Sequence, residues 1–528
     1  VEKSVEAIIL YLATLRAGAV FLPLNTGYTP AEIDYFIGDA TPAVFVCDPA
    51  KADALFDAAS RAGAKVVTLD AAGQGSLTEA AAGAAPDFAT VPREADDLAA
   101  LLYTSGTTGR SKGAMLTHGN LVSNTTALRE AWRYTADDVL IHALPIFHTH
   151  GLFVATNVTL FSGASMIFLP KFDPDRIIAL MGRATVLMGV PTFYVRLLQD
   201  DRLDRDTAAQ MRLFISGSAP LLAETHREWQ ARTGHAILER YGMTETNMNA
   251  SNPYEGDRIA GTVGMPLPGT EIIVTDPETG AELPQGEIGM IEVRGPNVFK
   301  GYWQMPEKTA AELRENGFFI TGDLGKFDKR GNLHIVGRGK DLIITGGFNV
   351  YPGEVEEILR EHPSIDDVAV VGRPREDGSE DVVACLDLAD GAALDPEGLK
   401  DYCRERLTRY KVPRTFYHFE ELAKDQMGKI RRRAEEHLGR LVELIVEIYG
   451  DRAEHQELAV VVGDLAVMLA GSWAARSSAL RQADAAAEGA QPWWLSRGSF
   501  AAAAYADRWA GGFSGVQERI PYLQQLGV

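Results

Sequence analysis

The sequence predicts an α/β fold: a large N-terminal unit on a mostly parallel sheet, a small α+β unit after it, and a mostly helical tail. Three observations predict it. From about residue 97 to 250, short β-rich runs alternate with helical patterns; residues 260–337 become short strands broken by Gly/Asp turns; and after "GRGKDLIITGG" capped helices and strands form a compact set.

The elements follow in order. "VEKSVEAIILYLATLRAGAVFLPL" reads as an amphipathic helix running into a strand, and no basic stretch with a cleavage site precedes it, which argues against a secretion signal. It reads like the interior of a domain, so the 528 residues are expected to be a fragment. "SMIFL", "TVLMGV" and "RLFISG" are strand-like, separated by helical text such as "DPDRIIALMGRA". "TEIIVTD", "GEIGMIEVRG" and "GNLHIVGRG" suit hairpins or a small barrel. "PGEVEEILREHP" is a helix opened by Pro352 and closed at Pro363, "DDVAVVGRP" is a strand, and "LDPEGLKDYCRERL" carries Asp395 as N-cap with Pro396 at the first helical position. These divide the chain into a large unit, 1–339, a small unit, 340–430, and a tail, 431–528.

Composition narrows the function. A net charge of −21 argues against nucleic-acid and anionic-membrane partners, and no apolar run is long enough to span a bilayer. Cys47, Cys385 and Cys403 have neither metal nor disulfide spacing, which suits a reducing cytoplasm.

"YTSGTTGRSKG" (Tyr103 to Gly113) packs three glycines, five serine and threonine hydroxyls, Arg110 and Lys112 into one stretch. Glycines let backbone approach a ligand, amides and hydroxyls cradle an anion, and the cations add charge, so phosphate is the natural guest. The alternative is a flexible linker, though linkers rarely set two cations beside their glycines. The spacing is not that of a Walker loop.

This loop resembles the signature of the adenylate-forming enzymes, the superfamily of acyl-CoA synthetases, adenylation domains and luciferases. Further motifs stand in that superfamily's order: "FHTHG" (Phe147 to Gly151), "SGSAPL", "ERYGMTET" (Glu239 to Thr246), "TGD" (Thr321 to Asp323), "GRGKDLIITGGFNVYPGEVE" and "MGK" (Met427 to Lys429). The resemblance implies attack of a carboxylate on the α-phosphate of ATP, giving acyl-AMP and pyrophosphate, and then displacement of AMP by a thiol.

It also implies residue roles. Thr104, Ser105, Gly106, Thr107, Thr108, Gly109 and Lys112 would hold the β- and γ-phosphates, Thr244 would contact the α-phosphate, and Glu245 would hold Mg²⁺. Tyr241 would lie against adenine, Asp323 would accept from the ribose hydroxyls with Arg338 nearby, and Gly217, Ser218 and Glu239 would complete the nucleotide site. His148 joins Thr244 and Glu245 as a catalytic candidate. Lys429 would bridge the substrate carboxylate and α-phosphate, although its lead-in "LAKDQ" departs from the family's usual Pro-Arg. Lys340 would be the hinge about which the small unit exchanges Lys429 for the loop Thr345 to Asn349.

CoA is the expected thiol, since no carrier domain follows. "GGFS" (Gly511 to Ser514) resembles a phosphopantetheine site, but Gly515 and the short remainder fit poorly. In "VLMGVPTFYVRLL", Arg196 lies one turn after Thr192 amid apolar residues, where a guanidinium is costly unless paired. Two readings stand: a snorkelling Arg, or a fork for a second substrate carboxylate assisted by His150 and Ser218. The stretches "HALPIFHTHGLF", "SGSAPLL", "ERYGMTETNMN" and "RGPNVFKGYW" resemble malonyl-CoA synthetases. That likeness implies a dicarboxylate, malonate or methylmalonate, in a pocket bounded by Thr149 and Met248. A monocarboxylate ligase and a non-catalytic binding protein are the rival readings. The tail, through "YGDR", "YADRWAG" and "RIPYLQQLGV", resembles the N-terminal region of amylosucrases, and no activity is carried over from it.

Overall fold

The computed structural model describes residues 1–419 and residue 422, apart from residues 29, 86, 105–110, 342, 346–347, 375–379 and 390. The tail and Lys429 lie outside the described residues, as do the loop positions Ser105 to Gly109.

Helix Val5–Arg16 starts where Ser4 accepts a hydrogen bond from the Ala7 N–H, and buries Ala7, Ile8 and Tyr11. The Tyr11 hydroxyl donates to Asn157. The strand expected next shrinks to one bridge, Phe21 with Ala100. Phe21 exchanges bonds with Ala99 and Leu101, but Pro23 has no N–H to extend the ladder.

The centre is a seven-stranded sheet, in spatial order Met265–Pro266, Asn247–Ser251, Leu238–Met243, Leu213–Ser216, Val186–Gly189, Val139–His142 and Ser165–Phe168. The last five pair in parallel and the first two are antiparallel. Alternate residues enter different cores. Leu187 and Phe214 join Tyr194 and Trp229 on one face; Val186, Met188, Leu213 and Ile215 join Trp132 on the other. Burial on both faces explains why these strands read as continuous apolar runs.

Strands Leu98–Thr104 and Lys112–Thr117 form an antiparallel hairpin with Thr104 opposite Lys112. The expected hairpins after residue 260 are a four-stranded antiparallel sheet, Glu271–Thr275, Gly289–Arg294, Phe319–Phe327 and Leu333–Arg338, each strand beside its sequence neighbour. The small C-terminal domain packs helices Pro352–Arg360 and Pro396–Arg404 with strands Ile365–Pro374, Glu380–Leu388 and Thr415–Phe419 around Val355, Leu359, Val370 and Phe416. Asp395 caps the second helix, accepting from the Gly398 N–H. Among the described residues no helix is long and apolar enough to cross a membrane.

Candidate active site

The parallel strands end at His142, Gly189, Ser216 and Met243, and ligands of open α/β sheets bind outside such carboxyl ends. The motifs at 147–151, 216–221 and 239–246 leave from or run through three of these ends. Thr244 and Glu245 occupy the turn joining strands Leu238–Met243 and Asn247–Ser251.

Glu245 is buried, and burial pushes its carboxyl up from the usual range. Its Oε1 accepts from the Tyr302 hydroxyl at 3.0 Å. That hydroxyl also lies 2.7 Å from Glu312 Oε2 and 3.1 Å from Lys112 Nζ. Lys112 pairs with Glu312 at 3.3 Å and sits 4.2 Å from the Tyr302 ring centroid. One tyrosine thus ties the expected phosphate lysine to the expected metal carboxylate. Tyr302 and Glu312 escaped the sequence reading; their only signal was "GYW" and an acid on an ordinary amphipathic helix.

The expected ribose group is also assembled. Asp323 faces Arg338 across neighbouring strands, and its Oδ1 accepts from Arg338 Nε at 2.9 Å. Its Oδ2 accepts from the Tyr241 hydroxyl at 2.6 Å. Burial, then the Asp323 charge, hold the Tyr241 phenol far above its ordinary value. Glu239 is buried with His226, Oε1 to Nδ1 at 3.3 Å, and burial raises its pKa.

A third cluster stands at the mouth of the sheet. His150 Nδ1 lies 3.3 Å from Ser218 Oγ, which Arg240 Nη2 approaches at 3.5 Å. Ser218 holds a left-handed φ of 73°, a conformation that costs free energy in a non-glycine residue. Gly217 is required beside it, because a Cβ there would meet the Arg240 guanidinium at 2.4 Å. Arg240 is 3% exposed and has no carboxylate partner among the described residues; burial lowers its pKa to about 9. Burial first, then the Arg240 charge, keep His150 neutral far below its ordinary value. Arg240 Nε, His150 Nε2 and the Thr149 hydroxyl are buried without a hydrogen-bond partner. Met248 is buried, its terminal methyl filling the space above Gly242. His148 is half-buried, its Nδ1 accepting from the His150 N–H at 3.2 Å.

Arg196 corrects one expectation. On helix Pro191–Leu198 the buried face is Tyr194, Leu197 and Leu198, so Arg196 is exposed rather than amid the apolar residues. Its guanidinium lies 4.7 Å from the Phe172 ring centroid, and Phe172 stacks on Phe193. The expected hinge Lys340 lies in a single tight turn, Gly339–Asp341, with its side chain outside the described residues. Strands Ile343–Thr345 and Phe348–Val350 that follow pair antiparallel, with Thr345 opposite Phe348.

Residues 1–303 match the AMP-binding enzyme family, and residues 354–429 match the AMP-binding enzyme C-terminal domain. A crystal structure of ATP-bound MatB from Rhodopseudomonas palustris is 63% identical, with a TM-score of 0.81 over 83% of this chain and 87% of that one. A malonyl-CoA ligase ternary product complex with methylmalonyl-CoA and AMP bound is 36% identical, with a TM-score of 0.56 over 80% of this chain and 89% of that one. The malonate–CoA ligase of Arabidopsis thaliana is 34% identical over 82% of this chain and 76% of its own length. Motif order, the fold and these likenesses agree: the chain belongs to the AMP-binding enzyme family.

Proposed function

We propose that this protein ligates malonate, with methylmalonate as a second substrate, to CoA. Malonate attacks the α-phosphate of ATP, forming malonyl-AMP and releasing pyrophosphate; the CoA thiol then attacks the acyl carbon and AMP leaves. The likeness to malonate–CoA ligases supports this reading. The observation that carries the choice of acid is Arg240, a buried guanidinium without a carboxylate partner among the described residues, beside Ser218 and His150. A buried cation is costly alone, and a substrate's distal carboxylate supplies the missing partner. Arg196, stacked on Phe172 in solvent, is the second guanidinium available to a dicarboxylate.

In this reading Lys112 exchanges Glu312 for the β- and γ-phosphates, with Thr104 and residues 105–109 completing the cradle. Tyr241, Asp323 and Arg338 hold the nucleoside, with Gly217, Ser218 and Glu239 around it. Thr149 and Met248 bound the acyl pocket, and neutral His150 and Ser218 offer it hydrogen bonds. Thr244 and His148 face the reacting groups, and Lys429 bridges carboxylate and α-phosphate in the adenylation state before rotation about Lys340 removes it. Mg²⁺ fits at Glu245: a buried carboxylate with a raised pKa gains a charge partner there, and Mg²⁺ takes one or two carboxylates plus phosphate oxygens. When bound, the ion neutralises phosphate charge. The cytoplasm is the proposed compartment, and residues 431–528 are proposed as a separate amylosucrase-like segment with no part in the ligation.

Pyrophosphate release with malonate, and malonyl-CoA formation on adding CoA, test the reading. Release that depends on malonate is expected. The ratio of kcat/KM for malonate over propionate should fall by about 30-fold or more in Arg240→Met, the loss of a buried charge partner being worth roughly 2–5 kcal/mol. No malonate-dependent release, or a ratio unmoved in both Arg240→Met and Arg196→Ala, would overturn it.

A further inference from the structure

Lys3 is a lysine in an unusual place. Its ammonium lies 2.9 Å from His142 Nδ1 and 2.8 Å from the His142 carbonyl oxygen, and 4.4 Å from the Phe168 ring centroid. Among the described residues it has no carboxylate partner. His142 itself is 1% exposed, the last residue of its strand, paired with Phe168. On its far side His142 Nε2 lies 2.9 Å from the Gly151 carbonyl oxygen and 3.1 Å from Thr156 Oγ1.

The chemistry fixes the proton. Burial lowers the Lys3 amine to about 7, but charged or neutral it has a hydrogen for each of its two His142 partners. The Gly151 carbonyl can only accept, so Nδ1 accepts from Lys3 and the ring carries its hydrogen on Nε2. That N–H donates to the Gly151 carbonyl, which also accepts from the Thr156 hydroxyl at 2.9 Å. Gly151 admits no side chain: a Cβ there would meet the Pro145 carbonyl at 2.0 Å. It is the second residue of the fully buried π-helical segment His150–Thr156, a wide-turn geometry often found at functional sites. The neighbours held by this anchor are Thr149 and His150, the residues of the acyl pocket.

We propose that Lys3 is a positioning residue for the acyl pocket: it locks the Nε2–H tautomer of His142, whose hydrogen bond to Gly151 sets the backbone that carries Thr149 and His150. Lys3 touches no substrate and acts only through the imidazole. A methionine would pack there without desolvating a charge, so the amine's contribution is the donor. The inference rests on the acyl-pocket reading given above, and its first readout needs no turnover.

The test compares wild type with Lys3→Met, which keeps the length without the donor, and Lys3→Arg, which restores it. Imidazole ¹⁵N shifts should show His142 wholly as the Nε2–H tautomer in wild type and Lys3→Arg, and as a mixture in Lys3→Met. The kcat/KM for malonate should fall roughly 10–100-fold in Lys3→Met, the range that a displaced binding group produces, with KM for ATP unchanged and Lys3→Arg recovering most of the loss. Lys3→Leu, likewise without a donor, replaces Lys3→Met with the same expectations if that variant does not fold; Lys3→Gln, a neutral donor, should keep the tautomer and lose less. A pure Nε2–H tautomer in Lys3→Met, or equal losses toward malonate and ATP, overturns the proposal. A wild-type protein inactive on malonate yet showing the tautomer shift would instead overturn the ligase reading alone.

Discussion

Two guanidinium groups separate what a substrate needs from what a fold prefers. Arg240 is buried among Tyr194, Gly217 and Ser218 without an anion among the described residues, and its pKa falls to about 9 because burial disfavours the charged form. Arg196 keeps water on its fork and a ring under its face. Only Arg240 therefore costs the free protein stability. Replacing buried ionic groups with packed apolar ones commonly stabilises by about 1–4 kcal/mol. Arg240→Met should accordingly raise the Tm of the ligand-free protein while its malonate activity falls, and Arg196→Ala should leave Tm nearly unchanged. A lowered Tm in Arg240→Met, seen by calorimetry, would mean that the guanidinium has a structural partner and is not held ready for a ligand.

At the scale of elements, strand Val139–His142 and the π-helical segment after it carry two neutral histidines. Burial lowers His142 from 6.5 to about 3, with the Lys3 charge assisting, and lowers His150 further than its ordinary range. The unfolded chain therefore takes up protons below pH 6.5 that the fold refuses. Stability is fully present above pH 6.5 and is lost as pH falls, through His142 down to about 3, by about 1.4 kcal/mol per pH unit, and His150 adds a loss of the same sign. His142→Gln keeps a donor and an acceptor but cannot titrate, so the fall of Tm between pH 6.5 and 4 should become shallower; an unchanged slope would show that His142 is charged in the fold. These elements also show what the sequence could disclose. The parallel strands were legible because burial on both faces leaves unbroken apolar runs, and the Asp395 cap because capping is local. Arg240 was not, since beside Glu239 it reads as an ordinary solvated charge until Tyr194 and Gly217 close over it. Lys3 was equally silent, a cation before a helix cap. The exposure of Arg196 was not legible for a geometric reason: Thr192 and Arg196 do share a face, but the core takes the face of Tyr194, Leu197 and Leu198. Tyr302 and Glu312 become site residues only because the chain returns them to Lys112 and Glu245.

At the scale of the whole molecule, the proposed reaction brings two anions together once and then must let a thiol approach the same carbon. The large domain carries Lys112, the proposed phosphate lysine, the Asp323–Arg338 pair and the Glu245 turn, all on elements packed into its own sheets. Lys429 belongs by sequence to the C-terminal domain match, which ends at that residue. In the proposed cycle the small domain brings this point charge to the carboxylate and α-phosphate for the first step only. Once malonyl-AMP exists, the remaining chemistry is attack by the CoA thiol, which needs access rather than a second cation between two anions. Lys429→Ala should then slow malonyl-AMP formation by about 10²–10³-fold, the usual loss for one missing transition-state contact. Conversion of supplied malonyl-AMP to malonyl-CoA should stay within about 3-fold of wild type, because the lost contact is absent from that transition state. Pre-steady-state measurement of each half-reaction, with pyrophosphate release for the first and AMP release for the second, separates them. Equal losses in both steps would place Lys429 in a structural or shared role and would remove the reason for the small domain to alternate between two positions.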